Sequence, residues 1–293
     1  MSNLHRRCAK RLRRLCCRSG GVYLKLGQHL AQLDFLLPPE FIEVLGCMRD
    51  QQALRATIAD VREVIWEDLG EYPETLWHSF NPEPIMSSSL AQVQRAVGWG
   101  GEELAVKVQH RGLREASTAD LDAVGLIVRV MDILFPKISY QWLANEMKRN
   151  LPKELDVLQE ADNSRKCAAM FEGRDDICVP PVVSEQTSER VLTTQFEPGL
   201  RTTDVDGVRA LGVSVSRMAT LISEVFCELM FRHGSVPCDP DDAYVLIRLH
   251  PKQDHVGRPQ LVLLNHGLYR DLTDKFRVDY CRLWMSIVFK DVE

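Results

Sequence analysis

Two short strand-like runs, Gln92-Val93-Gln94-Arg95-Ala96-Val97 and Glu103-Leu104-Ala105-Val106-Lys107-Val108, flank a glycine-rich turn at 98–101. Side chains that alternate across a pleat on both sides of such a turn read as an antiparallel hairpin. A hairpin in the middle of the chain requires a sheet, so no purely helical fold is open to it.

On either side of the hairpin the spacing becomes helical. Leu24, Leu26, Leu30 and Leu33 are apolar, and Pro38-Pro39 stops that segment. Thr57 with Asp60 reads as an N-cap, Ile58, Val61, Val64, Ile65 and Leu69 form one helical stripe, and Gly70 closes it. Two or three helices are expected from about 114 to 172, with Pro136 and Pro152 as punctuation. A strand pair is expected at 178–183 and 189–196, then a hinge at Glu197-Pro198-Gly199. A strongly amphipathic helix over 213–231 ends at Gly234, and short strands at 244–249 and 260–264 precede a terminal helix. This order predicts an α+β fold of two lobes: 1–75 an N-terminal helical extension, 76–197 a strand-bearing lobe with a helical insert, and 198–293 a second lobe.

A hydrophobic content of 45% and a charged content of 26% suit a globular protein, and a net charge of −5 argues against nucleic acid as a partner. The charge is unevenly placed. No acid precedes Asp34, while Arg6, Arg7, Lys10, Arg11, Arg13, Arg14, Arg18 and Lys25 crowd the same stretch. Such a start reads either as a mitochondrial presequence or as a basic surface helix. The best apolar stretch, 123–135, is broken by Arg129 and Asp132, so no membrane span is expected. Nine cysteines, none in a C-x-x-C pair, suggest neither zinc nor a disulfide framework, and are expected reduced and mostly buried.

Several residues invite chemistry. Lys107, at the end of an apolar strand, must reach water or meet an anion. Kinases use a lysine so placed to hold the α- and β-phosphates of ATP, and an ordinary edge-strand lysine is the plain alternative. Asp239 lies on a loop between the long helix and a short strand, where a kinase keeps its catalytic-loop aspartate. Five residues on, Tyr244 stands where the magnesium-binding Asn is required, and Asn265 stands where the metal Asp of D-x-G is required. Ser87-Ser88-Ser89 reads equally as a phosphate cradle or a polar turn. Asp241 and Asp242 read as solvated loop acids before metal ligands, and His266 as a satisfied structural histidine.

In these stretches the chain resembles the aarF-domain-containing family, the UbiB-like atypical kinases associated with coenzyme Q biosynthesis. The match is carried by Lys25-Leu-Gly-Gln28, Ser89-Leu-Ala-Gln-Val93, Ala105-Val-Lys-Val-Gln109, Glu154-Leu-Asp156 with Glu160, Cys238-Asp-Pro240 and Leu263-Leu-Asn-His-Gly-Leu-Tyr269. The resemblance implies a protein-kinase-like fold in which Lys107 is the ATP lysine and Glu160 its helix partner. It implies that Lys25, Gln28, Glu154, Asp156, Ser88 and Ser89 surround the nucleotide, and that Asp239 is the catalytic aspartate. Departures from the family pattern fall at Pro237, at Asp241-Asp-Ala-Tyr244, at Met86-Ser-Ser-Ser89, at Gln94 and at Asn265.

Magnesium wants hard, charged oxygens in octahedral array. Asn265 retains one oxygen without charge, and Tyr244 offers a phenol on a bulky ring. Loss of both ligands is expected to slow phosphoryl transfer by roughly a thousandfold. The leading expectation is therefore a pseudokinase that still binds ATP or ADP, with magnesium weak or absent. An active atypical kinase and a non-catalytic lipid-associated scaffold stand as alternatives, the latter using the basic N-terminal helix on a membrane surface. Resemblance implies a mitochondrial location, with a cytoplasmic one as the alternative if the basic start is only an internal helix, and the sequence identifies no protein partner.

Overall fold

The computed structural model describes residues 2–50, 56–135, 140–238, 245–251 and 257–290. They form two compact units, Met1–Val157 with Ser184–Thr193, and Leu158–Val183 with Thr194–Glu293. The expected helical extension 1–75 shares a unit with the central hairpin, and the expected 76–197 segment contributes to both units.

The first unit opens with α1 (Ser2–Ser19), α2 (Gly21–Leu30) and α3 (Pro39–Asp50). α1 turns Ala9 and Cys16 inward, and Cys16, Leu24, Leu45 and Met48 close a small core among the three helices. Gly27 makes this approach feasible, since a Cβ there would stand 2.3 Å from Met48 Cε and 3.2 Å from Cys16 Sγ. α4 (Ile58–Leu69) begins at the capping box read from the sequence: Thr57 Oγ1 accepts the Asp60 N–H at 3.2 Å, and the Asp60 carboxylate accepts the Thr57 N–H at 3.3 Å. It ends at Gly70, whose φ of 76° is left-handed. A single turn, α5 (Pro73–Leu76), leads to β1 (Ser79–Phe80), β2 (Met86–Ser87), β3 (Ala91–Val97) and β4 (Glu103–Gln109).

The hairpin is present as expected. β3 and β4 pair antiparallel with Lys107 opposite Val93 and Gln94 opposite Val106. Three helices follow, α6 (Leu113–Leu134), α7 (Gln141–Glu154) and α8 (Val157–Met170). Pro152 lies inside α7 near its end, where the helix runs on to Glu154, and Pro136 falls outside the described residues. Leu121, Val124, Ala144, Met147 and Leu151 pack α6 against α7.

β5 (Ile177–Cys178) and β6 (Val191–Gln195) differ from the expected strand pair. β5 pairs in parallel with a later strand, and Val182 and Thr194 form an isolated bridge. Pro180 and Pro181 carry no N–H, so they cannot sustain a ladder across 178–183. The first sheet has the order β1-β3-β4-β6, with β2 also on β3.

The second unit continues through β7 (Leu200–Arg201), α9 (Val205–Ala210) and α10 (Val215–Cys227). A π-helical turn, Glu228–His233, follows, and Gly234 ends it at φ 65°. Then come β8 (Ser235–Pro237), β9 (Val245–Leu249), β10 (Pro259–Leu263), β11 (Tyr269–Asp271) and α11 (Asp274–Phe289). One sheet has the order β5-β10-β9-β7, and β11 pairs with β8. Leu221, Val225, Leu229, Ile247, Leu261 and Leu263 form its wholly buried centre.

The cysteines correct an expectation. Cys16 and Cys167 are buried, but Cys8, Cys47, Cys227 and Cys238 are exposed, because they fall on outward faces of helices and turns. All nine are free of disulfides. Among the described residues no helix is long and apolar enough to cross a membrane.

Candidate nucleotide site

Residues marked out by the motifs divide between the units. The first holds Lys25, Gln28, Ser88, Ser89, Lys107, Glu154 and Asp156, and the second holds Glu160 and Asn265. Asp239 and Tyr244 lie outside the described residues, as do Asp241 and Asp242.

In the first unit the motifs interlock. Lys25 on α2 pairs with Glu154 at the end of α7, Nζ to Oε2 2.9 Å, and both side chains are nearly buried. A largely desolvated pair like this is held by mutual charge, and removing either member leaves the charge of the other less compensated. Gln28 Nε2 donates to the Met48 carbonyl at 3.3 Å, while Ser89 Oγ donates to Gln28 Oε1 at 3.5 Å. At the far end of β4, buried Gln109 donates from Nε2 to the Leu155 carbonyl at 3.1 Å, between Glu154 and Asp156. The K-x-G-Q helix, the serine turn, the lysine strand and the E-x-D turn are thus tied by hydrogen bonds within one unit. Gln109 ends the Ala105–Gln109 motif, but its clamping role emerges only from the contact.

Lys107 is half-buried on β4, and Asp156 is exposed at the α7–α8 junction. The serine turn satisfies much of its own backbone. Ser88 Oγ accepts the N–H groups of Leu90 at 3.3 Å and Ala91 at 3.2 Å, and Ser88 N–H donates to the Ala91 carbonyl at 2.8 Å. Those amides already have acceptors, as a polar turn requires. His110 Nε2 holds the Ser88 carbonyl at 2.9 Å, and burial pushes the imidazole below its ordinary value.

In the second unit α8 is fastened to the Asn265-His266-Gly267 turn. Asn163 Nδ2 donates to the His266 carbonyl at 2.9 Å. Glu160 is 2% exposed, and its carboxyl would lie 3.9 Å from a Cβ placed on Gly267. His266 is buried with both ring nitrogens engaged: Nε2 lies 3.2 Å from the Leu263 carbonyl and Nδ1 3.0 Å from the Tyr269 hydroxyl. Nε2–H donates to Leu263, which leaves Nδ1 to accept from Tyr269. This is the satisfied structural histidine that the sequence suggested. Asn163, three residues past Glu160, had no signal of its own.

Asn265 turns its oxygen inward. Oδ1 accepts the Gly267 N–H at 3.3 Å, an Asn side chain closing a turn over its own backbone two residues on. Magnesium fits this donor poorly, because the oxygen is neutral and already shared with an N–H. Among the described residues no group of three or more His, Cys, Asp or Glu side chains is placed to hold a metal ion.

Comparison with known proteins agrees with the motifs. The family model described as the ABC1 atypical kinase-like domain matches residues 48–293. The chain is 39% identical over 302 residues to a putative ABC1 protein of Arabidopsis thaliana, a match covering 99% of this chain and 56% of that one. It is 39% identical over 292 residues to AarF domain-containing protein kinase 1 of Mus musculus, covering 100% and 55%. Among solved structures it is similar to a Mycobacterium tuberculosis protein in complex with erythromycin, with 26% identity and a TM-score of 0.61 over 92% of this chain and 66% of that chain. The chain spans about half the length of the curated relatives it matches. It belongs to the ABC1, or AarF-domain, family of atypical kinase-like proteins, and its fold is kinase-like.

Proposed function

We propose that this chain is a pseudokinase that binds ATP or ADP through Lys107 without a firmly held magnesium. The observation that carries the reading is Asn265, a neutral amide whose oxygen closes a turn on Gly267 at 3.3 Å where phosphoryl transfer needs a carboxylate. The Ser88 hydroxyl already occupies the N–H groups of Leu90 and Ala91, so the reading assigns the phosphates to Lys107 and not to that turn. On motif resemblance alone, the reading extends to a mitochondrial protein linked to coenzyme Q or lipid homeostasis.

An active atypical kinase is the second reading. It is favoured by the Lys25–Glu154 pair at 2.9 Å, an intact link between the K-x-G-Q and E-x-D motifs.

Thermal stabilisation by nucleotide, with and without magnesium, tests the first reading. Saturation near a hundredfold above Kd is expected to stabilise by about 2.7 kcal/mol, equally with and without the metal. The double reversion Asn265→Asp with Tyr244→Asn is expected to gain ATP hydrolysis over the unaltered chain. Magnesium-dependent turnover in the unaltered chain, lost in Lys107→Ala, would establish the second reading instead.

A further inference from the structure

The outward half of α1 is two-toned. Arg7, Arg11, Arg14 and Arg18 recur at spacings of four, three and four, so at 100° per residue they form one line along the helix. All four are exposed, and none forms an ion pair with a described residue. Their neighbours behave differently. Arg6 grips both carboxylate oxygens of Glu43, at 2.9 and 2.7 Å, and His5 lies 3.5 Å from Glu40. Arg6 and His5 meet acids of α3, and the four outward arginines meet none.

Beside the arginine line lies a second strip. Leu4, Cys8 and Leu15 share the adjoining arc of the helix, and Leu4 and Leu15 are 54% and 55% exposed. The helix already has a buried face, formed by Ala9 and Cys16 against its neighbours, so these leucines are not the stripe that fixes it to the protein. Around them the sequence holds no acid before Asp34, so nothing on this segment repels an anion.

We infer that the outer face of α1 docks on an anionic phospholipid surface, the arginines meeting headgroup phosphates and Leu4 and Leu15 entering the acyl boundary. A basic line beside an apolar strip on one helix suits a bilayer interface, where charge and apolar surface lie within one layer. A nucleic acid backbone would use the arginines but has no place for a strip of leucines, and the chain as a whole is acidic at −5. The surface uses none of the residues assigned to nucleotide, so it stands whether or not the nucleotide reading holds.

Flotation of the full 293-residue chain with phosphatidylcholine vesicles, with and without phosphatidylglycerol, tests this. Binding is expected only with the anionic lipid and is expected to weaken as salt rises. Each arginine near the surface is worth about fivefold, so Arg7→Gln, Arg11→Gln and Arg14→Gln together are expected to weaken binding by about a hundredfold. The matching Arg→Lys triple keeps the charge and is expected to retain most binding. Leu4→Ser with Leu15→Ser is expected to cost about tenfold. These positions face solvent, so melting midpoints are expected to match the parent, and the lysine triple controls for folding. Equal binding to neutral and anionic vesicles, no binding at all, or a glutamine triple as tight as the parent would overturn the inference. So would full vesicle binding by the leucine variant together with tight binding of single-stranded RNA, which would assign the arginines to a polyanion.

Discussion

Gln94 lies wholly buried on β3, opposite Val106, and neither its amide nitrogen nor its oxygen has a hydrogen-bond partner among the described residues. Two residues earlier Gln92, on the same face, receives the Ala56 N–H at 2.9 Å, so the two glutamines are not equivalent. An unpaired buried amide costs free energy without return. Gln94→Met, which keeps the volume and removes the polar atoms, is expected to stabilise by about 1 kcal/mol, raising Tm by about 2 °C in a thermal melt. His110 sets a pH dependence. Burial, opposed by the hydrogen bond to the Ser88 carbonyl, holds its imidazole below the ordinary 6.5. The unfolded chain therefore takes up that proton first, so the contribution is complete above pH 6.5 and is lost as pH falls through the lower folded value. Denaturant midpoints are expected to decline from about pH 7 to about pH 5, and less steeply in His110→Gln. Identical slopes in the two proteins would remove His110 as the cause.

Between elements, a few close approaches do the fastening. Asp68, near the end of α4, accepts the Arg190 N–H at 2.9 Å, its Nε at 2.8 Å and the Ser188 hydroxyl at 2.8 Å. One carboxylate thereby fixes the turn entering β6. Asp68→Ala leaves the Arg190 guanidinium to Glu67, 2.9 Å away, but strands the Arg190 N–H and the Ser188 hydroxyl, and is expected to cost about 2 kcal/mol in chemical denaturation. Gly27 does the same for the three-helix start. Gly27→Ala must displace Met48 Cε from 2.3 Å, and is expected to cost about 1–3 kcal/mol, part of which Met48→Ala restores by opening space. The capping box at Thr57 and the stop at Gly70 were legible beforehand, because both are set by residues within one turn of the helix end. The Asp68–Arg190 clamp was not, since its members are 122 residues apart and no local pattern links them.

Each compact unit has its own buried centre, and a thermal melt is expected to show more than one step. Calorimetry is expected to give a van't Hoff enthalpy smaller than the calorimetric one, and Asp68→Ala is expected to move only the transition of the first unit. A single transition with equal enthalpies in both proteins would contradict this.

Local chemistry in the sequence was enough to determine the hairpin with Lys107 on its second strand, the caps at Thr57, Gly70 and Gly234, and membership of a kinase-like family. Each depends on neighbours a few residues apart or on a contiguous motif. Other features are settled only when distant segments meet. The chain's division passes through a segment that composition left whole. Ile177–Cys178 finds a parallel partner in Leu261–Val262, because two prolines deny the neighbouring segment its ladder. Lys25 reaches Glu154, and the Asn265 oxygen turns back on Gly267. Pair energies of this kind depend on distance in space, and sequence records only distance along the chain.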